Sequence, residues 1–546
     1  MKKLPILLIL LIVGSLDVRA QFFNSNELTS NPFSLLYGVD PQLTLFTPDT
    51  GAQILYNPAR AMSYQRQFVV GKYDGYPQYN YFSYGNDVLF SETENNIRVT
   101  IERLSPPTTY VYVPSPTIDM AVLKRSDDGY WLIQFANIVN GSGNKSNSTS
   151  SRIILTTQTN SSVRSSEIDN SFSKTRLKIS KIFSLGERMY SYSLFGFYLP
   201  NTQQSILSSS EMERTENTNN VYSRTNTSSL NGKQADPKYA VGIEMSFADN
   251  VSDLLVLLQV TKGKSEHIDE TVSEYKYSYR YTDSINNSNS NNSTLSAHTY
   301  RSVLDPTSIN ISGYYHRALS LFGIPSGGFI SVNAEYLYGD ISLSTKRRNY
   351  SYSRYGNSNP TGDTSFTEAS GNIESSNSGM HLSAGVISGF DLEDLKVQTG
   401  LVPQLFYSTS TNGQIGYYFS NEQTLTKYDN TYYKYEILIP LMIEYSPSEW
   451  CTIFSGMNTR YSIYTNDSEY KSLPLTTFYV SSSGGTSNQS LTTQNNGRSS
   501  NTNYYSSTSL FFNAQLQHRS GLKFQFSFKE DISKFKELGL SILYFF

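Results

Sequence analysis

The chain has 546 residues, 14% of them aromatic, yet its mean hydropathy is negative at -0.40. A net charge of -3 gives no hint of a nucleic-acid partner, and the single cysteine, Cys451, excludes an internal disulfide framework or a cysteine-based metal centre. Tyr (43) and Phe (29) far outnumber Trp (2), a mixture that suits strands with one apolar and one polar face.

Residues 1–20 read as an export signal peptide. Lys2 and Lys3 give a positive start, Leu4 to Val13 are apolar, and Val18-Arg19-Ala20 ends in a small residue. The mature chain is expected to start near Gln21. The apolar run is about ten residues, short of the roughly 20 that a membrane-crossing helix needs, and no helix-length apolar segment follows. That leaves a periplasmic protein, a secreted protein or an outer-membrane β-barrel. A secreted sandwich or β-helix shares the β-rich composition, but the alternation described below favours the barrel.

Residues 21–62 lack alternation. Prolines recur (Pro32, Pro41, Pro48, Pro58), and Thr50 to Tyr56 are expected to form a short helical turn that Pro58 interrupts. The segment is read as a periplasmic or lumenal plug outside the wall, with the barrel spanning 63–546. Within it, Asp49-Thr-Gly-Ala52-Gln-Ile54-Leu-Tyr56-Asn57-Pro58-Ala59 resembles the stretch near the start of the long-chain fatty-acid transporter (FadL-type) superfamily, which includes a component of type IX secretion. The resemblance covers about 14 residues and implies a 14-stranded barrel with a hatch, in which Asp49, Asn57, Pro58 and Ala59 belong to the hatch. On the residues alone, Asn-Pro-Ala would equally serve as a turn that starts the first strand.

From residue 172 onward apolar residues recur at a period of two, which places alternate side chains on opposite faces of a strand. Tyr435, Ile437, Ile439, Leu441, Ile443 and Tyr445 oppose Glu436 and Glu444; Ile330, Val332, Ala334, Tyr336 and Tyr338 oppose Ser331, Asn333 and Glu335. Short turns are expected at 184–187, 249–250, 390–394, 447–449 and 519–520. Long Ser-, Asn-, Thr- and Tyr-rich stretches, about 200–237, 263–306, 341–378, 409–431 and 465–504, are expected as extracellular loops. Thirteen strands follow residue 172, so an even barrel needs an odd number before it. Residues 64–73, 117–125 and 130–139 are candidates; using all three gives 16, and the family resemblance favours 14. The expected fold is therefore all-β, a transmembrane antiparallel barrel of 14 to 16 strands.

The chain ends Leu538-Gly539-Leu540-Ser541-Ile542-Leu543-Tyr544-Phe545-Phe546. Gly539, Ile542, Tyr544 and Phe546 resemble the carboxyl-terminal signal that barrel-assembly machinery recognises, and strand parity points this strand into the periplasm. Polar residues on the opposite parity to the apolar ones are expected to line the lumen: Lys396, Gln398, Gln404, Glu436, Glu444, Asn513, Gln515, Gln517, Lys523 and Gln525.

The five histidines show no metal-ligand spacing, so neither a metal nor a cofactor is expected. His316 reads as an interfacial or lumenal residue. His518-Arg519-Ser520-Gly521 distantly resembles the catalytic box of outer-membrane phospholipases but lacks its Asn, and it reads as a turn; no enzyme activity is expected. The expectation is an outer-membrane protein of a Gram-negative bacterium that contacts lipid and the assembly machinery and passively takes up small, by preference hydrophobic, molecules. The alternative is a non-transporting scaffold for secretion or surface attachment, with the outer segments as its binding surface.

Overall fold

A computed structural model describes residues 41–46, 50–64, 67–75, 82–83, 90–94, 97–104, 108–113, 117–155, 158–217, 220–282, 287–356, 358–418, 422–473, 475–480, 486–491, 496–531 and 534–545. Sixteen strands form its wall: β1 (Phe68–Gly75), β2 (Thr117–Ser126), β3 (Gly129–Leu155), β4 (Gln158–Leu185), β5 (Arg188–Leu199), β6 (Lys238–Ala248), β7 (Ser252–Gly263) and β8 (Thr307–Leu321), then β9 (Ile324–Tyr355), β10 (Thr361–Leu392), β11 (Leu395–Tyr418), β12 (Glu422–Ser448), β13 (Cys451–Leu473), β14 (Asn496–Gln517), β15 (Leu522–Asp531) and β16 (Lys534–Phe545). Each pairs antiparallel with the next. The ladder then returns from β16 to β1, with Phe68 opposite Phe545 and Gly75 opposite Leu538. The sheet is thus closed, and the three strands before residue 158 make the total 16, the larger of the two expected counts.

Closure has a physical reason. In hydrocarbon an unpaired backbone donor or acceptor has no water to bond, so a sheet there can have no edge. The exposed face carries the apolar belt: Tyr239, Val241, Ile243 and Met245 on β6, and Leu254, Val256, Leu258 and Val260 on β7, are all exposed, while the residues between them are buried. Tyr198 and Tyr239 stack at 5.4 Å on one rim, in register with Tyr338. Toward the other rim, Lys181 lies between Trp131 and Tyr192 in the ladder, with its ammonium 5.0 Å from the indole. Tyr192 to Tyr198 is six residues, about 20 Å of strand at ~3.4 Å per residue. Aromatic rims bordering an apolar band are what the two bilayer interfaces select.

The expected turns form where they were placed, at Gly186–Glu187, 249–251, Glu393–Asp394, Glu449–Trp450 and Arg519–Ser520. The long polar stretches differ from the expectation of loops. Most of their described residues are paired strands that carry the wall beyond the apolar belt. β9 and β10 run for 32 residues each, where a spanning strand needs roughly 9–11. Strands Asn201–Asn217, Asn220–Ala235, Ser265–Thr282 and Asn287–Leu304 continue β5 to β8 upward and complete the wall between β4 and β9. Their breaks fall at Pro200, Pro237 and Pro306, which lack a backbone donor, and at Lys264.

Several inward glycines sit under a ring or aliphatic side chain from the neighbouring strand. A Cβ on Gly242 would lie 2.7 Å from Phe195 Cε1, and one on Gly385 would lie 2.6 Å from Phe329 Cε1. Gly242→Val is therefore expected to cost about 1–3 kcal/mol by overpacking. The check is a lower unfolding midpoint in lipid vesicles; an unchanged midpoint would show that Phe195 can move aside freely.

Candidate functional site: the lumenal amino-terminal segment

The segment before β1 folds as a 3-10 turn (Pro41–Phe46), helix α1 (Thr50–Tyr56), a second 3-10 turn (Pro58–Arg60) and helix α2 (Ala61–Tyr64). Helix α1 has the bounds read from the sequence. Asn57 makes the break between helices. Its backbone is extended (φ -120°, ψ 95°), Pro58 follows at the first turn position, and Asn57 Oδ1 accepts from the Ala59 N–H at 3.2 Å. Asn is favoured as such a cap because its side chain replaces the missing carbonyl of the turn before, and proline there gives up a donor that would be orphaned anyway.

Leu43, Leu45, Ala52, Ile54, Leu55 and Ala61 are buried in one cluster with inward residues of the wall, among them Phe68, Leu123, Leu132, Ile182, Leu255, Phe329, Val402, Met442 and Phe511. Those partners come from strands on every side of the ring, so the segment lies within the lumen. Phe46 meets the His316 ring edge-on at 5.0 Å and Phe329 at 5.9 Å, and Tyr56 meets Tyr314 edge-on at 5.4 Å.

Polar fixing converges on Asp253, the second residue of β7 and fully buried. Asn57 Nδ2 donates to Asp253 Oδ1 at 2.8 Å and to the Phe247 carbonyl at 3.1 Å. Arg60 grips the same carboxylate with both sides of its fork, Nε to Oδ1 at 2.7 Å and Nη2 to Oδ2 at 2.5 Å. His316 Nδ1 lies 3.0 Å from Oδ2. Arg60 Nη1 and Tyr64 Oη both donate to Gln53 Oε1, at 2.9 and 2.7 Å, which ties α1 to α2. Burial on its own would lower the Arg60 pKa; the hydrogen bond and charge of Asp253 outweigh it and raise the pKa above its ordinary value. A planar fork on a carboxylate is the strongest geometry available to such a pair.

The anchor sits beside a turn. Asp249 Oδ1 accepts from the N–H groups of Val251 at 2.8 Å and Ser252 at 2.6 Å, and from Ser252 Oγ at 3.1 Å. Partial burial raises the Asp249 pKa, but these bonds prevail and hold it below the usual carboxylate range.

Of the residues expected in this segment, Asn57, Pro58 and Ala59 are buried together at the wall; Ala59 packs with Met189 and Ala248. Asp49 lies outside the described residues. Sequence reading missed Asp253 and Gln53, and placed His316 only as an interfacial or lumenal residue. A signal for Asp253 existed: it falls on the polar parity of an otherwise apolar strand, directly after a turn. Nothing local pairs it with Arg60, 193 residues away.

The expected lumen residues divide. Gln404, Glu436, Asn513, Gln515 and Gln525 are buried on the inward face; Lys396, Gln398, Glu444 and Lys523 are half-buried, and Gln517 is exposed at the end of β14. Between the segment and the upper wall lies a second polar group that was not foreseen. Lys178 Nζ is 2.5 Å from Glu244 Oε1, both fully buried, and the Arg176 guanidinium lies 4.9 Å from the Phe195 ring centre. At the carboxyl end, Gly539, Ile542 and Tyr544 pair with Asp74, Gly71 and Val69 of β1, and Tyr544 is exposed; Phe546 lies outside the described residues. His518 Nδ1 accepts from Ser520 Oγ or donates to it at 2.9 Å in an exposed turn. Among the described residues no group of His, Cys, Asp and Glu could hold a metal ion.

Asn57→Ala is expected to loosen the segment by about 1–3 kcal/mol, because it removes the cap and one of the donors to a buried carboxylate. The measurement is the urea concentration at which Arg60 becomes cleavable by trypsin while the barrel stays folded; no shift would contradict the anchor.

Fold and site together define a closed antiparallel barrel with its amino-terminal segment anchored in the lumen. No family model matches the chain, and no curated protein does. Among solved structures the chain is similar to the outer membrane transporter YddB from Escherichia coli, at 8% identity and a TM-score of 0.25 over 88% of this chain and 81% of that one. It is also similar to the siderophore receptor PirA from Pseudomonas aeruginosa, at 9% identity and 0.20 over 70% and 80%, and to the ferric citrate transporter FecA, at 8% and 0.17 over 88% and 79%. Likeness at these scores carries no inference about this chain's activity.

Proposed function

We propose that this protein is an outer-membrane channel for passive uptake of small, by preference hydrophobic, molecules, with residues 41–64 as a lumenal plug. The observation that carries the reading is the anchoring of the Arg60 fork and the Asn57 amide on buried Asp253, inside a ring that is otherwise closed. A scaffold needs no such device, since a buried ion pair is costly to form and is better suited to fixing one arrangement than to adding stability. The closed ring and its aromatic-bordered apolar belt support an outer-membrane location, with Gly539, Ile542, Tyr544 and Phe546 as the assembly signal. The polar inward residues support a solvated path.

Deleting residues 21–62 is expected to give ion current in planar bilayers where the intact protein gives none. A folded deletion variant with no current would overturn the plug and favour the scaffold or surface-attachment reading, for which the tall polar wall above the belt is the available surface. Folding is checked separately, by different migration of heated and unheated samples on a denaturing gel.

A further inference from the structure

Among the described residues, the strands above the belt leave the ring ladder between β10 and β15. The β10–β11 ladder stops at Ser378 opposite Thr409, although β10 continues to Thr361 and β11 to Tyr418. Higher up, Phe366 to Ser370 of β10 pair instead with Thr476 to Val480. On the other side the β14–β15 ladder reaches no higher than Ser509 opposite Asp531, whereas β14 continues to Asn496. The upper ends of β11 to β14 stay paired with one another, Tyr418 with Glu422, Leu425 with Leu473 and Lys471 with Asn496. They form a flap of four strand ends, joined to the ring ladder at its base and again higher up, where Thr476 to Val480, beyond β13, pair with β10.

The flap lies over the inside of the wall. Ile341 and Leu343 stand on the same odd-numbered face of β9 as Phe329, which touches Phe46 in the lumen, so their face is the inward one. On β10, Ala369 and Ile373 share the face of Ile387. Against these four residues are buried Ile415 of β11 and Leu425 of β12, together with Leu475. The approach is close: a Cβ on Gly371 would lie 2.8 Å from Leu425 Cδ2, and one on Gly413 would lie 3.0 Å from Leu343 Cδ1 and collide with Ile373. The buried set changes along β11 from Gln404 and Ser408 to Thr411 and Ile415, so the face that looks outward in the ring is the one the flap lays against β9 and β10. At the point of departure buried Asn377 replaces the lost ladder. Its Oδ1 accepts from the Thr411 N–H at 2.8 Å, and Thr411 Oγ1 donates to Asp429 Oδ1 at 2.7 Å.

We infer that this flap is a second, size-limiting gate: docked through Ile415 and Leu425 on the inward face of β9 and β10, it narrows the lumen from the side opposite the plug to a bore that small ions pass and larger solutes do not. The inference rests on the transport reading and adds its regulation. An apolar contact between two polar-edged sheets suits reversible docking, because it is non-directional and scales with the area covered. A small apolar solute could also compete for it. Thr261, inward on β7 and level with Leu337 and Asn377 by ladder register, lies below the docked residues and above the anchor at Asp253.

The test is thiol labelling of Thr261→Cys in full-length Cys451→Ser protein on intact cells, with a membrane-impermeant maleimide added outside. Slow labelling is expected, and Ile373→Asn or Leu425→Asn should speed it about tenfold or more, the factor that corresponds to losing one buried apolar contact. Equal rates in the parent and both variants, with heat-modifiable folded barrels, would overturn the gate, and so would a parent that labels within the mixing time. The readout is independent of the plug, since reagent arrives from the other side. Failure of the 21–62 deletion to conduct would count against the transport reading and leave the labelling result standing.

Discussion

Asp253→Ala should release the amino-terminal segment from the lumen while leaving the ring closed. The substitution strands the Arg60 guanidinium beside a hydrophobic cluster and removes a partner each from Asn57 and His316. Leaving one member of a buried ion pair uncompensated costs about 3–5 kcal/mol, more than a segment of some 20 residues can absorb unnoticed. The ladder contacts of β7 are backbone bonds and survive. Trypsin should then cut after Arg60 in the folded barrel, with Ala61 appearing as a new amino terminus, and ion current should approach that of the 21–62 deletion. Asp253→Asn keeps an acceptor and should lie between. Absence of the Ala61 terminus in a folded Asp253→Ala barrel would mean that the apolar cluster alone holds the segment.

The second large effect concerns depth in the membrane. Val256 faces outward in the middle of the apolar belt on β7, while Val272 is equally outward-exposed on the continuation of the same strand above it. Val256→Arg should destabilise by about 2–4 kcal/mol, the cost of a cationic side chain near the bilayer midplane, and Val272→Arg by no more than about 1 kcal/mol. Urea unfolding in lipid vesicles measures both. Equal losses at the two positions would mean that the belt does not sit in hydrocarbon, and in detergent-free aqueous buffer no contrast would be expected.

Much of this protein was legible from one strand to the next. Period-two alternation located the spanning strands because one face meets lipid and the other the lumen, and parity limited the count to 14 or 16, which the ladder resolved as 16. Thr50 to Tyr56 and Asn57-Pro58 were legible because capping and proline chemistry act within three or four residues. The tall wall above the belt was hidden. Its strands have polar surroundings on both faces, so residues such as Ser288 to Thr294 show no alternation although their backbone ladder is complete. Local chemistry thus determined where strands cross and where the plug-like segment bends. Only the tertiary structure decided that Asp253 would meet Arg60 across 193 residues, and that Ile415 would turn inward onto Ile373 rather than rise with the wall. Both depend on which strands become neighbours when the ring closes, and closure is a property of the whole sheet that no single strand encodes.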